Sequence, residues 1–202
     1  MLQSRHAPVA DEFALAPGVS LTRARAHEVT GAARTTFAVL TAAGLAGPVL
    51  WLQPGWQAER PMGDGLRGFL DPARLVFGRG RTTQDLLWAA EEALRTGLVP
   101  LVVIALPEVP GLTAVRRLHL AAEAGAARSA APVALLLTPG GGGDPGVETR
   151  WEMTPAPGWA RGGGPRWRLV RLRARMAPEA AWEASFEGGR LRLAPAPHPT
   201  PR

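Results

Sequence analysis

Three short apolar runs, each closed by proline at both ends, constrain this chain more than any other feature: PVLWLQP (48–54), PLVVIALP (100–107) and PVALLLTP (132–139). A strand with one face in water alternates apolar and polar residues, whereas an unbroken apolar run bounded by turn residues suits a strand covered on both faces. RLVFGRG (74–80) reads as a further strand, and RAHEVTG as a short one ending at Gly31. Helical patterns separate these runs. TTQDLLWAAEEALRTGL (82–98) offers Thr82 or Thr83 as a cap, an i,i+4 pair of Glu91 with Arg95, and Gly97 as a stop. In LTAVRRLHLAAEAG (112–125) Ala114, Val115, Leu118, Ala121 and Ala122 share one face, with Arg116, Arg117 and Glu123 off it and His119 toward solvent. FLDPARL reads as a short helix and turn.

Strand and helix therefore alternate to about residue 140, which predicts an α/β fold with a mostly parallel sheet flanked by helices. The remainder changes period: VETRWEMT, RWRLVRLRAR and WEASFEGGRLRLA read as antiparallel strands, the last two halves joined at Gly188–Gly189. The expected layout is an irregular N-terminal arm over 1–20, one domain over 21–193 and a disordered tail over 194–202.

Several function classes lose their chemistry here. Without cysteine there are no disulfides or thiolate sites, and the four histidines (His6, His27, His119, His198) lack metal-ligand spacing. No run of 18 apolar residues exists and the first twenty residues lack a secretory pattern, so a cytoplasmic protein with no membrane partner is expected. All 23 basic residues are arginine, in a chain without lysine, tyrosine or asparagine. That bias suggests a GC-rich coding sequence and weakens the net charge of +6 as a sign of nucleic-acid binding.

One stretch has the layout of a nucleotide site. In HEVTGAARTTFAVL (27–40) a strand meets Gly31, turns and enters a helix. A working phosphate loop, G-x-x-x-x-G-K-[ST], wraps phosphates in backbone amides, neutralises them with lysine and holds Mg²⁺ on the hydroxyl. Here Gly31 is followed by Ala32, Ala33, Arg34, Thr35 and Thr36, three residues short of the usual spacing and without the second glycine. Arg34 stands in the lysine's place, and a planar guanidinium does not replace a compact ammonium. The apolar strand at 101–105 ends on Ala105 where a metal-holding aspartate is needed, and Glu108 follows. Gly31, Arg34, Thr35 and Thr36 are thus read as a vestigial nucleotide loop, with residual anion binding at the helix N-terminus as the lesser alternative.

These segments together resemble the RecA-type ATPase core and, within it, the ImuA family. ARAHEVTG with RTTFAVL resembles its first strand, phosphate loop and first helix. LDPARLVFGRGRTTQDLLWAAEEALRTGLVPLVVIAL resembles the passage to its Walker B strand, and AVRRLHLAAEAG with APVALLLTP the next helix and strand. RWRLVRLRARMAPEAAWEASFEGGRLRL is similar to the closing hairpin region, so the resemblance spans roughly residues 20 to 193. It implies a RecA-like three-layer core extended by antiparallel C-terminal strands. It also implies a role in SOS-regulated DNA damage tolerance, beside an inactive Y-family polymerase homologue of the ImuB type and an error-prone polymerase subunit, with RecA a further candidate. The expected function is that of a non-catalytic accessory protein in translesion synthesis, with no cofactor. The alternatives are a divergent ATPase or nucleotide switch, and a cell-division inhibitor of the SulA type.

Where recombinases of this fold grip DNA with two loops, this chain has PEVPGL and PGGGGDPG, which hold no basic or aromatic residue. Weak or no direct DNA binding is expected. The candidate partner or nucleic-acid surface is instead Arg166, Arg168, Arg171, Arg173 and Arg175, with Trp159 in a nearby loop. Strand alternation puts Arg171, Arg173 and Arg175 in one stripe, and a bulge near Val170 is needed to align all five; a solvated edge face is the competing reading. Trp51 and Trp88 are expected in the core, Trp151, Trp167 and Trp182 packed together, and Trp56 and Trp159 in loops, half-buried or serving as anchors. His27 and Glu28 read as structural.

Overall fold

In the computed structural model, residues 11–141, 143, 146–157 and 164–196 are described. Eleven strands and four helices are assigned among them: β1 Glu12–Ala16, β2 Val19–Thr22, β3 Arg25–Thr30, α1 Arg34–Gly44, β4 Val49–Pro54, α2 Gly63–Leu66, β5 Leu75–Gly80, α3 Thr83–Thr96, β6 Leu101–Ala105, α4 Leu112–Ala126, β7 Val133–Leu137, β8 Thr149–Pro155, β9 Arg166–Ala174, β10 Ala180–Glu187 and β11 Arg190–Pro195. Nine strands form one sheet in the order β11-β10-β9-β8-β3-β7-β6-β4-β5. The pairs from β8 through β5 are parallel, and β8, β9, β10 and β11 pair antiparallel in succession.

The proline-bounded runs occupy the middle of this sheet because they bury both faces. On β6, Leu101 and Val103 join a core with Phe37, Ala38 and Leu40 of α1, while Val102 and Ile104 join a second core with Leu86, Ala90 and Leu94 of α3 and Val115 and Leu118 of α4. Val133, Leu135 and Leu137 of β7 alternate with Ala134 and Leu136 in the same way. The result is three layers, with α1 on one face and α3 and α4 on the other. The two helices of the second face touch through glycine. A Cβ at Gly125 would lie 2.0 Å from the Leu94 carbonyl oxygen, and Gly97 ends α3 at φ +70°.

The irregular arm expected over 1–20 is corrected for its described part. Residues 12–22 form an antiparallel hairpin, β1 with β2. Val19 and Leu21 are fully buried, and Phe13 packs where α1 carries Gly44, whose Cβ would come within 2.6 Å of the Phe13 ring. Pro17 and Gly18 make the turn rather than break the structure. The tail expected from 194 is ordered as strand through Pro195.

Helix α3 has the predicted cap: Thr82 accepts from the Asp85 amide while the Asp85 carboxylate accepts from the Thr82 amide. Its side-chain pairs differ from expectation. Glu91 is buried and receives two bonds from Arg117 of α4, at 2.8 and 3.1 Å, and Arg95 turns to Glu92. Arg117 is therefore an interhelical tie. Trp88 is 60% exposed, outside the core it was expected to join.

Candidate functional site

The carboxyl ends of β3, β4, β6 and β7 open onto a recess of about 320 Å³ lined by Ala32, Arg34, Thr35, Trp51, Gln57, Glu59, Arg60, Pro61, Ala105, Leu106 and Leu137. Ligands of open α/β sheets bind at this end. Arg34 and Thr35 of the loop read as a vestigial nucleotide site line the recess, and Gly31, directly after β3, lets the chain turn. Gly31 has φ +88°, and a Cβ there would lie 2.3 Å from the Met153 carbonyl oxygen. The loop is thus pressed onto β8, and the Ala33 amide donates to that same carbonyl at 2.9 Å.

This geometry consumes groups that a phosphate site needs. The Arg34 amide and its Nη1 both donate to the Gly31 carbonyl, at 3.2 and 3.1 Å, so the guanidinium folds back on its own loop. Helix α1 begins at Arg34 without a side-chain cap. Thr36 borders a separate groove, with Thr35, Val39, Met62, Phe69 and Trp167. Ala105 sits at the end of β6 as the sequence indicated, and Glu108 accepts from the Thr83 hydroxyl at 3.0 Å beside α3, outside the recess lining. Among the described residues no group of three or more His, Asp or Glu could hold a metal ion.

Sequence reasoning missed three residues here. Gln53, 1% exposed at the end of β4, donates from Nε2 to the carbonyls of Gln57 and Glu59, and its Oε1 has no partner among the described residues. Glu59 and Arg60 bring one charge of each sign to the recess wall. Gln53 had a signal, being the one polar residue inside PVLWLQP; the other two sit in a polar linker that carries none.

Two further buried polar groups sit on β3, on opposite faces of the sheet: Glu28 shares the α3/α4 face with Leu136 and His27 the α1 face with Leu135. Glu28, 1% exposed, accepts from Arg150 Nε at 2.5 Å and from the Thr138 hydroxyl at 2.6 Å, and Arg150 also donates to the Gly143 carbonyl. His27, fully buried, is held by the Thr22 carbonyl at 2.8 Å and Thr149 Oγ1 at 2.7 Å. The carbonyl can only accept, so Nε2 carries the proton and Nδ1 receives the Thr149 hydroxyl. Burial pushes the His27 pKa down to about 4. His119 does not face solvent as expected: its ring bridges the Ala26 amide at 3.4 Å and the Gly146 carbonyl at 3.1 Å, and partial burial lowers its pKa.

The arginine stripe divides. Trp151 pairs with Arg171 and Arg150 with Arg173, so the extra residue is Leu172, not one near Val170. Paired residues share a face, which places Arg173 with Arg166 and Arg168 and turns Arg171 to the opposite side. There Arg171 lies over the Trp151 and Trp182 rings, at 5.7 and 5.3 Å, and donates to the carbonyls of Pro178 and Gly18. Burial lowers its pKa from the ordinary value. Arg175 follows the strand and pairs with Glu148 at 3.5 Å. On the outer face Arg168 has Glu183 as its neighbour on β10, and Glu152 stands opposite Val170. Trp151, Trp167 and Trp182 belong to one core, as expected. Trp56 is 73% exposed, and Trp159 lies outside the described residues.

No helix among the described residues is long and apolar enough to cross a membrane. No family model matches the chain. Two proteins named Protein ImuA, from the NA1000/CB15N and CB 15 strains of Caulobacter vibrioides, are each 34% identical over 181 residues, covering 80% of this chain and 71% of theirs. With that identity over most of both lengths, the chain belongs to the ImuA family.

Proposed function

We propose that this protein is a non-catalytic accessory factor of SOS-regulated DNA damage tolerance, built on a RecA-like core and acting in translesion synthesis through association with other proteins. The observation that carries the non-catalytic part is the loop after β3. Its Ala33 amide is bound to Met153, its Arg34 is bound to Gly31, and β6 ends on Ala105. A nucleotide here would meet the folded-back guanidinium of Arg34 and the opposite charges of Glu59 and Arg60, in place of an amide cradle, a lysine and a metal-bearing acid. The parallel core with helices on both faces and an antiparallel wing supports the RecA-like reading.

Family membership supports the setting and the candidate partners: an ImuB-like inactive polymerase homologue, an error-prone polymerase subunit and RecA. The arginine-rich strand supports association better than DNA binding. Arg171 is committed to two indoles and Arg175 to Glu148, and Arg168 faces Glu183 across the sheet. A nucleic-acid surface needs its cations free to displace counterions.

Calorimetry with ATP and ADP, each with Mg²⁺ at low salt, tests the central claim. The expected result is no heat of binding from folded protein. Micromolar binding would overturn the vestigial loop and make the protein a nucleotide-controlled switch.

A further inference from the structure

Strand β5 is the last strand of the sheet, and no strand among the described residues pairs with its far side. The Gly80 carbonyl accepts from the Gly55 amide on the β4 side. Backbone groups of successive strand residues point to opposite sides, so those of Phe77 and Arg79 point outward. Leu75 points outward too, but its amide is already bound to the Pro72 carbonyl.

Exposed edges are usually blunted by charged side chains, proline, a bulge or a covering element, and of these β5 has, among the described residues, only the charges. The β4–β5 register runs without a shift from Val49↔Leu75 to Pro54↔Gly80, and β5 contains no proline. One face of the strand carries few side chains of its own. Gly78 and Gly80 leave room for the Leu52 and Leu86 side chains, and Val76 between the two ends is 54% exposed.

The edge is also positive. No acid occurs between Asp71 and Asp85, a stretch that holds Arg74, Arg79 and Arg81, and Arg60 lies over the Phe77 ring at 5.3 Å. Arg74 is bound to the neutral carbonyls of Leu45 and Gly47, and Arg79 to that of Gly55. None of these four arginines forms an ion pair among the described residues, and the Asp85 carboxylate is engaged by the Arg81 and Thr82 amides at the start of α3. Trp56, next to Gly55 at the end of this edge, is exposed and of the type that anchors interfaces.

We propose that the open edge of β5 receives an extended acidic segment of a protein partner as an added strand. The backbone of Phe77 and Arg79 would supply the ladder, and Arg79 and Arg81 would take the carboxylates. A second copy of this chain is a poor occupant, because pairing two β5 edges brings like charges together. This proposal rests on the reading that the protein acts by association, and it names the surface.

The test measures anisotropy of a fluorescein-labelled peptide of alternating Glu and Val, with a Lys–Val peptide as control, on the full chain and on Arg79→Gln and Arg79→Pro. Proline removes an outward amide that the ladder with β4 does not use, so the fold should tolerate it. The expected result is saturable binding of the acidic peptide alone, weakened about threefold by Arg79→Gln and about tenfold by Arg79→Pro. Exchange protection of the Phe77 and Arg79 amides on adding peptide to the unaltered protein is the second readout, and needs no variant. Absent binding, equal binding of the Lys–Val peptide, or unprotected amides would overturn the proposal. In cells, Arg79→Pro should lower damage-induced mutation as deletion of the gene does. A variant that behaves as wild type while deletion abolishes the response removes the edge and leaves the accessory role. A deletion without effect removes the accessory role, and the peptide measurements still decide the edge.

Discussion

Arg150 donates from Nε to the Glu28 carboxylate at 2.5 Å, and Gly143 packs directly over the pair, since a Cβ there would fall 2.4 Å from Glu28 Oε1. The bond joins β3 to β8, the junction where the parallel core meets the antiparallel wing. Arg150 also donates to the Gly143 carbonyl, between β7 and β8.

Removing one partner of a buried pair strands the other charge, at a cost of about 3–5 kcal/mol. Arg150→Met should therefore lower unfolding free energy by about that amount in urea denaturation, and Glu28→Gln in the same chain should restore part of the loss. A single substitution costing under about 1 kcal/mol would show that the pair is dispensable.

The sequence exposed the frame and hid this junction, for a physical reason. PVLWLQP, PLVVIALP and PVALLLTP disclose strands because burial on both faces forbids polar residues, and Thr82 with Asp85 discloses a helix start because the cap is local. Partners remote in the chain leave no such mark. Glu91 meets Arg117 of another helix where a local pair with Arg95 was expected, and Glu28 meets Arg150. The hairpin over 12–22, expected as an irregular arm, turns at Pro17 and Gly18. Along β9, the position of a single inserted residue decided which arginines share a face, and only the register with β8 reveals it.

His27 should make stability depend on pH. Its native pKa of about 4 lies below the ordinary value of 6.5, so the native state resists the proton that the unfolded chain accepts. The contribution is complete above pH 6.5 and is lost as pH falls toward 4, amounting to about 3 kcal/mol from 1.36 kcal/mol per unit. Urea midpoints of wild type and His27→Gln between pH 4 and 7 measure it. The variant should lose this part of the slope, and parallel curves would refute the assignment.

Arg171 should behave as a structural clamp. Lysine in its place keeps the charge but cannot reach two carbonyls as a planar fork while lying on two indoles. Arg171→Lys should lower stability by about 1–2 kcal/mol and change the fluorescence of Trp151 and Trp182. The double replacement Arg166→Gln with Arg168→Gln, on the opposite face, should change stability by less than about 1 kcal/mol. Equal losses from the two would show that the bulge does not separate them.

The loop after β3 is where a working nucleotide site and a purely architectural turn predict opposite outcomes. Arg34 touches only the Gly31 carbonyl among the bonds described for its side chain, so Arg34→Ala should leave damage-induced mutation and protein level unchanged. Gly31 combines φ +88° with a Cβ position 2.3 Å from the Met153 oxygen. An alanine there pays the left-handed penalty of about 1–2 kcal/mol and must also push β8 away. Gly31→Ala should thus destabilise the fold by more than about 2 kcal/mol and lower protein level. In a nucleotide-dependent protein the order would reverse, with Arg34→Ala abolishing function in a stably folded chain; measuring both variants for melting temperature and mutation frequency decides between the two.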